Sequence, residues 1–166
     1  MKIGILGLAE HKKPDLECDE LYALTWDKQN RIRATHLFEP HEDSDFWTAQ
    51  EIEQIDSLGV PVYTRMGIFK NGEELPDTGI GYFESSVAYM LALAIHKNPE
   101  EIHIWGVQMA DDTEYFYQRA NFEYLVGYAR GRGIDVTLHG RTSVCKHCGH
   151  FYESQYGLGK RLARAA

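Results

Sequence analysis

Between residues 85 and 97 the apolar positions Val87, Met90, Leu91, Leu93, Ala94 and Ile95 cover more than one face of a helix. That is the pattern of a helix packed between a sheet and a second layer. Ser85 or Ser86 can cap its start, and Asn98-Pro99 stops it. A short apolar run with β-branched residues, 102–109, then predicts an interior strand, and 110–119 is a polar loop rich in hydrogen-bonding side chains. A second helix follows over 121–132, with Phe122, Leu125, Val126 and Ala129 inward and Gly131 and Gly133 closing it. Residues 134–139 form a further strand. This is one α/β crossover, with its polar loop at the carboxyl end of a strand, where open parallel sheets place ligands.

The amino-terminal half carries the same alternation. Strands are predicted over 2–8, 21–26, 32–38 and 60–64, the last starting near Pro61 and so an edge or a strand beginning. Phe46, Trp47, Ile52, Ile55 and Leu58 recur at helical spacing over 44–58, with Asp43 or Ser44 as N-cap. Residues 65–81 have loop composition, with Asn71-Gly72 as a turn, and a loop of that length in a compact domain is often a lid or binding loop. The pattern predicts a single Rossmann-like α/β domain over 1–156, a mostly parallel sheet flanked by helices, and a short basic tail over 157–166 that is helical and partly frayed.

Composition adds limits. The chain of 166 residues has a net charge of -8, which gives no general attraction to nucleic acid or to an anionic membrane. Basic residues gather in the last quarter, Arg130, Arg132, Arg141, Lys146, Lys160, Arg161 and Arg164 among them. No apolar run approaches the roughly 20 residues that span a bilayer, and the first residues read as a buried strand rather than a signal peptide. With 3 cysteines a disulfide framework is incomplete, so a reducing cytoplasm is expected. The ten tyrosines make self-association as a homo-oligomer one expectation.

Candidate chemistry lies at strand ends. Gly7, in the turn after the first strand, would let backbone N–H groups approach a phosphate, although the full dinucleotide fingerprint is absent; ordinary packing of a first strand is the alternative. Glu39 and His41 end the third strand, and a carboxylate and an imidazole so placed can bind a ribose or work as acid and base, or simply decorate a loop. Arg65 opens the long loop and suits a phosphate or carboxylate. The loop after the central strand brings Gln108, Asp112, Glu114 and Gln118. Cys145, His147, Cys148 and His150 resemble half of a zinc knuckle, which Cys18, His139 or His11 would have to complete; an ordinary reduced loop is the competing reading.

The runs FESSVAYMLALAI and IHIWGVQMADDTEYFYQRANFEYLVGYARGRGIDV, with ILGLA at 5–9, Trp26 and FEPH at 38–41, resemble a family of small Rossmann-like proteins of tailed bacteriophages, mostly without assigned function. More remotely, the serine-bearing helix start and the strand after it are similar to small bacterial sialyltransferases and to archaeal pterin pyrophosphokinases. The resemblance implies a nucleotide or nucleotide-sugar ligand, Gly7 near a phosphate, Ser85 and Ser86 at the ligand-facing helix start, and the 108–119 loop near the substrate. It departs from the sialyltransferases at Leu8-Ala9-Glu10, where they carry Gly-Pro-Ser, and at Gln108, where they carry Asp.

The expectation is therefore a phage protein of the host cytoplasm that binds a nucleotide or nucleotide-activated small molecule, with group transfer, glycosyl-like, as the enzyme reading. Its site would combine His41, Glu39, Asp112 and Glu114 as catalytic residues with Gly7, Ser85, Ser86, Gln108, Gln118 and Arg65 as ligand-binding ones. The alternatives are a non-catalytic accessory protein that sequesters a nucleotide or binds a host protein, and a zinc-stabilised interaction module.

Overall fold

The computed structural model describes residues 1–9, 16–42, 44–109, 115–140 and 142–145. Its strands are β1 (Lys2–Leu6), β2 (Glu20–Leu24), β3 (His36–Glu39), β4 (Val62–Thr64), β5 (Gly72–Glu74), β6 (Glu101–Trp105) and β7 (Asp135–His139), with helices α1 (Ala49–Asp56), α2 (Ser86–His96) and α3 (Tyr115–Gly131). The strands join in one sheet of order β5-β4-β3-β2-β1-β6-β7 in which every pairing is parallel. The architecture is Rossmann-like α/β, and the sheet is wholly rather than mostly parallel. No described helix is long and apolar enough to cross a membrane.

The two-residue period of a strand divides the core between the sheet's faces. Ile3 and Ile5 join Tyr22, Phe38, Ile102 and Ile104 beneath α2 and α3, all of them nearly free of solvent. Leu6, Ala23, Leu37 and Val62 face the other way, against Ile55 and Ile52 of α1. α2 is buried along most of its length, which explains why its apolar residues showed no single stripe. α1 is amphipathic and buries only Ile55 completely.

Several boundaries differ from the sequence pattern for local reasons. The strand expected from residue 32 begins only at His36, because Arg31–Arg33 turn as a 3-10 helix and leave Ile32 67% exposed. The helix expected over 44–58 is broken: Ser44–Phe46 is a separate 3-10 turn, and α1 starts behind Thr48, not Asp43 or Ser44. Thr48 and Glu51 form a reciprocal capping box, in which the Thr48 Oγ1 accepts the Glu51 N–H and the Glu51 carboxylate accepts the Thr48 N–H. β5 falls inside the stretch read as loop, since Gly-Glu-Glu carries no apolar signal. β6 stops at Trp105 because Gly106 takes a φ of 66°, and α3 starts at Tyr115, six residues before the expected 121, drawing Gln118 onto its first turns. The tail at 157–166 lies outside the described residues.

The order of the strands fixes where a ligand can enter. The chain leaves β1 toward β2 on one side, and β6 arrives on the other only after α2, so the loops behind β1 and β6 part at their carboxyl ends.

Candidate functional site

At that divergence lies a cavity of about 680 Å³, within the range of small-molecule sites. Its lining comes from the ends of β1 and β6, Gly7 to Ala9 and Gly106 to Met109, from Pro40 and His41 behind β3, from Arg65 behind β4, and from Phe83 to Val87 at the start of α2. Gly7, His41, Arg65, Ser85, Ser86, Gln108 and Gln118, drawn from separate parts of the sequence, all line it. Leu24, Leu75 and Tyr89 complete its apolar lining.

The first glycine turn is shaped by packing. The Gly7 N–H donates to the Trp105 carbonyl at 2.8 Å and the Ala9 N–H to that of Gly106 at 2.9 Å, so the β1 turn continues the ladder to β6. A Cβ on Gly7 would lie 2.3 Å from the Gly106 oxygen. Glycine is needed here because another backbone takes the space.

His41 and Glu39 form the most organised polar unit of the site. The Glu39 carboxylate is fully buried, and its two oxygens are used separately. Oε2 accepts the Thr25 hydroxyl at 2.6 Å, while Oε1 lies 2.5 Å from His41 Nδ1 and accepts the His41 N–H at 3.3 Å. A carboxylate at Nδ1 holds the proton there and leaves Nε2 with a lone pair, the tautomer a general base requires. The His41 side chain is 59% exposed against none for Glu39. Glu39 therefore orients, and His41 meets what enters the cavity.

α2 presents its amino terminus to the same cavity. Ser85 is the N-cap, with its Oγ accepting the Ala88 N–H at 3.2 Å, and the first turn of α2 holds no acidic residue. Unpaired N–H groups and the helix dipole favour an anion at such a terminus. Glu84, just ahead of the cap, also lines the cavity, so a bound anion there needs a cation nearby. Arg65 supplies one: it pairs with Glu42 at 2.8 Å, but both side chains are more than half exposed, a weak pairing that a ligand phosphate can replace.

The helix start is held in place from α3. Asn121 is fully buried; its Nδ2 donates to the Tyr82 carbonyl at 2.8 Å and its Oδ1 accepts the Glu84 N–H at 3.1 Å. Below the cap, the Tyr89 hydroxyl donates to the Pro76 carbonyl at 2.6 Å, and burial pushes this phenol up to about 12, so it stays a neutral donor near neutral pH. The loop behind β7 ties down the cavity lining, with Thr142 donating to the Val107 carbonyl at 2.6 Å and Ser143 accepting the Met109 N–H at 2.6 Å. Sequence reasoning passed over Glu84, Tyr89 and Asn121. Tyr89 was findable, one helical turn after Ser85, whereas Asn121 sits among inward apolar positions and gave no signal.

Of the other residues singled out, Asp112 and Glu114 lie outside the described residues, as do His11, His147, Cys148 and His150. Cys145 has a φ of 47°, its N–H donates to Glu123 Oε1 at 2.8 Å, and burial, with Glu123 adding to it, pushes its thiol up. Cys145 packs on the α2–α3 face of the sheet, whereas Cys18 packs on the α1 face together with Trp105, against which the His139 ring stacks at 4.3 Å. Among the described residues no three His, Cys, Asp or Glu side chains converge as metal ligands. No protein-family model, curated protein or solved structure matches the chain.

Proposed function

We propose that the cavity binds a nucleotide or nucleotide-activated small molecule, and that its chemistry is group transfer from that donor with His41 as general base. The observation that carries this reading is the Glu39–His41 pair, whose histidine lines the same cavity as the amino terminus of α2. Ser85 and Ser86 at that terminus, with Arg65, receive the anionic part of the ligand. Gln108 and Gln118 offer amide donors and acceptors to its neutral hydroxyls. His41 removes the proton from an acceptor hydroxyl as its oxygen bonds to the transferred group, the bond from that group to the nucleotide phosphate breaks and the nucleotide leaves as an anion at the α2 terminus and Arg65, and the buried Glu39 carboxylate stabilises the imidazolium formed. The resemblance of 83–95 and 102–136 to phage proteins and, further off, of the serine-bearing helix start and the strand after it to nucleotide-dependent transferases points the same way.

The test is calorimetric titration of the purified protein with nucleoside mono- and diphosphates and nucleotide sugars, followed by product analysis with any ligand that binds. Saturable binding lost in Arg65→Ala supports the site, and turnover lost in His41→Ala supports transfer. Binding without turnover in the wild-type protein would favour the second reading, an accessory protein that sequesters its ligand or docks on a host protein. Exposed tyrosines Tyr117, Tyr124 and Tyr128 along α3 provide that reading with a surface.

A further inference from the structure

Beside the cavity stands an aromatic group that the binding and transfer roles leave unused. Trp26, just after β2, meets the His41 ring edge-on at 6.4 Å and an interplanar angle of 85°. It also packs on Trp47 at 4.7 Å and on Phe46 at 6.4 Å. Trp47 is tied inward by Phe69 at 5.6 Å, so the cluster is anchored to the α1 core at one end. At its other end Trp26 remains 41% exposed and Phe46 64% exposed.

Large apolar rings left in water next to a cavity gain from a ligand that covers them. Trp26 and Phe46 come from different connections, behind β2 and behind β3, yet both reach the carboxyl end of the sheet. His41 belongs to both constellations, since it lines the cavity and touches Trp26. The aromatic group does not itself line the cavity but adjoins it through His41, at the carboxyl end of β3. Few side chains offer a flat, rigid apolar surface at such small entropic cost as tryptophan.

Resting on the reading of the cavity as a nucleotide site, we propose that Trp26, with Phe46 beside it, is the stacking surface for the heteroaromatic base of the ligand. In this arrangement the phosphate lies at Ser85, Ser86 and Arg65, the sugar passes His41 and Pro40, and the base leaves the cavity to lie against Trp26. Stacking on a π-face is tolerant of base identity, so the subsite contributes affinity for a base as such, and the choice among bases falls to the amide groups of the cavity.

The experiment compares ligands that differ only in the base. Each of the four ribonucleoside 5′-monophosphates and ribose 5-phosphate, which shares their sugar and phosphate, is titrated by calorimetry into wild-type protein, Trp26→Ala, Trp26→Phe and Phe46→Ala. Wild-type protein is expected to bind at least one nucleotide about tenfold or more tightly than ribose 5-phosphate, as expected of a stacked base. Trp26→Ala should bring the two affinities together while ribose 5-phosphate binding is unchanged, and Trp26→Phe should restore most of the difference. Circular dichroism of each variant verifies that it is folded, and Phe46→Ala, at a more exposed ring, gives a second reading of the same subsite. Equal nucleotide preference in wild type, Trp26→Ala and Phe46→Ala would overturn the stacking subsite and leave the cavity reading standing. If neither nucleotides nor ribose 5-phosphate bind, both fall.

Discussion

Gly7 and Gly106 approach so closely that a single added carbon on Gly7 would sit 2.3 Å from the Gly106 carbonyl oxygen and 2.9 Å from Val107 Cγ2. The first of these contacts is with backbone, which cannot swing aside as a long side chain can. Gly7→Ala should therefore push β1 and β6 apart at their carboxyl ends and cost roughly 1–3 kcal/mol, the usual range for overpacking. Urea denaturation of the variant measures the loss. Because Gln108 and Met109 follow directly in the cavity lining, the same substitution should weaken ligand binding.

The Asn121 amide serves two backbone groups on another element, so its loss leaves both the Tyr82 carbonyl and the Glu84 N–H without their partner. Asn121→Ala is expected to destabilise the protein by about 1–3 kcal/mol for each of those groups that stays buried and unpaired. Thermal unfolding reads this directly. Asn121→Asp keeps the acceptor for the Glu84 N–H but sets a buried carboxylate oxygen against the Tyr82 carbonyl, and should cost at least as much.

His41→Ala takes the ring donor away from the fully buried Glu39 carboxylate and should lower stability by about 1–3 kcal/mol. Its transfer rate should fall by roughly 10²–10⁴, the ordinary contribution of a general base. Glu39→Gln retains the shape but no longer holds the imidazole in one tautomer. A rate loss in Glu39→Gln with unchanged affinity for the donor would separate orientation of His41 from ligand binding. A His41→Ala enzyme as fast as wild type would remove the pair from the mechanism.

His36 and Glu20 are two of the sources of acid sensitivity on the sheet. His36 is half-buried, and burial lowers its pKa below the ordinary histidine value, although Glu20 opposes the shift. The fold favours its neutral form, so stability should fall as pH drops from about 6.5 through the depressed value. Glu20 is also disfavoured by burial, but hydrogen bonds from Lys97 at 2.7 Å and Tyr22 at 2.6 Å outweigh that and hold its carboxyl down. Its contribution is present above about 4.3 and should be lost as pH falls through the lower folded value. Urea midpoints measured from pH 7 to pH 3 should show the first decline vanish in His36→Gln and the second shrink in Lys97→Met.

The α1 cap gives a simpler test. Thr48→Ala deletes the hydroxyl that accepts the Glu51 N–H and should cost about 1 kcal/mol, whereas Thr48→Ser should cost much less.

What the sequence disclosed and what it concealed follow from the range of each interaction. The run from Val87 to Ile95 and the run from Ile102 to Trp105 are dominated by burial, a property that leaves its period in the chain, and they locate α2, β6 and the crossover between them. β5 is three exposed residues that join the sheet through backbone bonds alone, so no side-chain pattern announces it. His41 and Ser85 were legible as strand-end and helix-start residues, yet that they share one cavity depends on the strand order. Asn121 and the clamp made by Thr142 and Ser143 work through contacts more than thirty residues away, beyond any local pattern.

The position of β1 in the sheet also sets the order in which the chain can complete itself. Ile3 pairs on one side with Glu20, but on the other with Ile102. A chain growing from its amino terminus can therefore zip β1 to β2 early, while the opposite row of β1 amides and carbonyls stays open until β6 has been synthesised. Such long-range parallel pairing is slow, and the half-built sheet carries a bare apolar edge at a strand that ends in its interior rather than at its rim. Ribosome pausing between β5 and β6 would prolong that exposure more than pausing anywhere later in the chain.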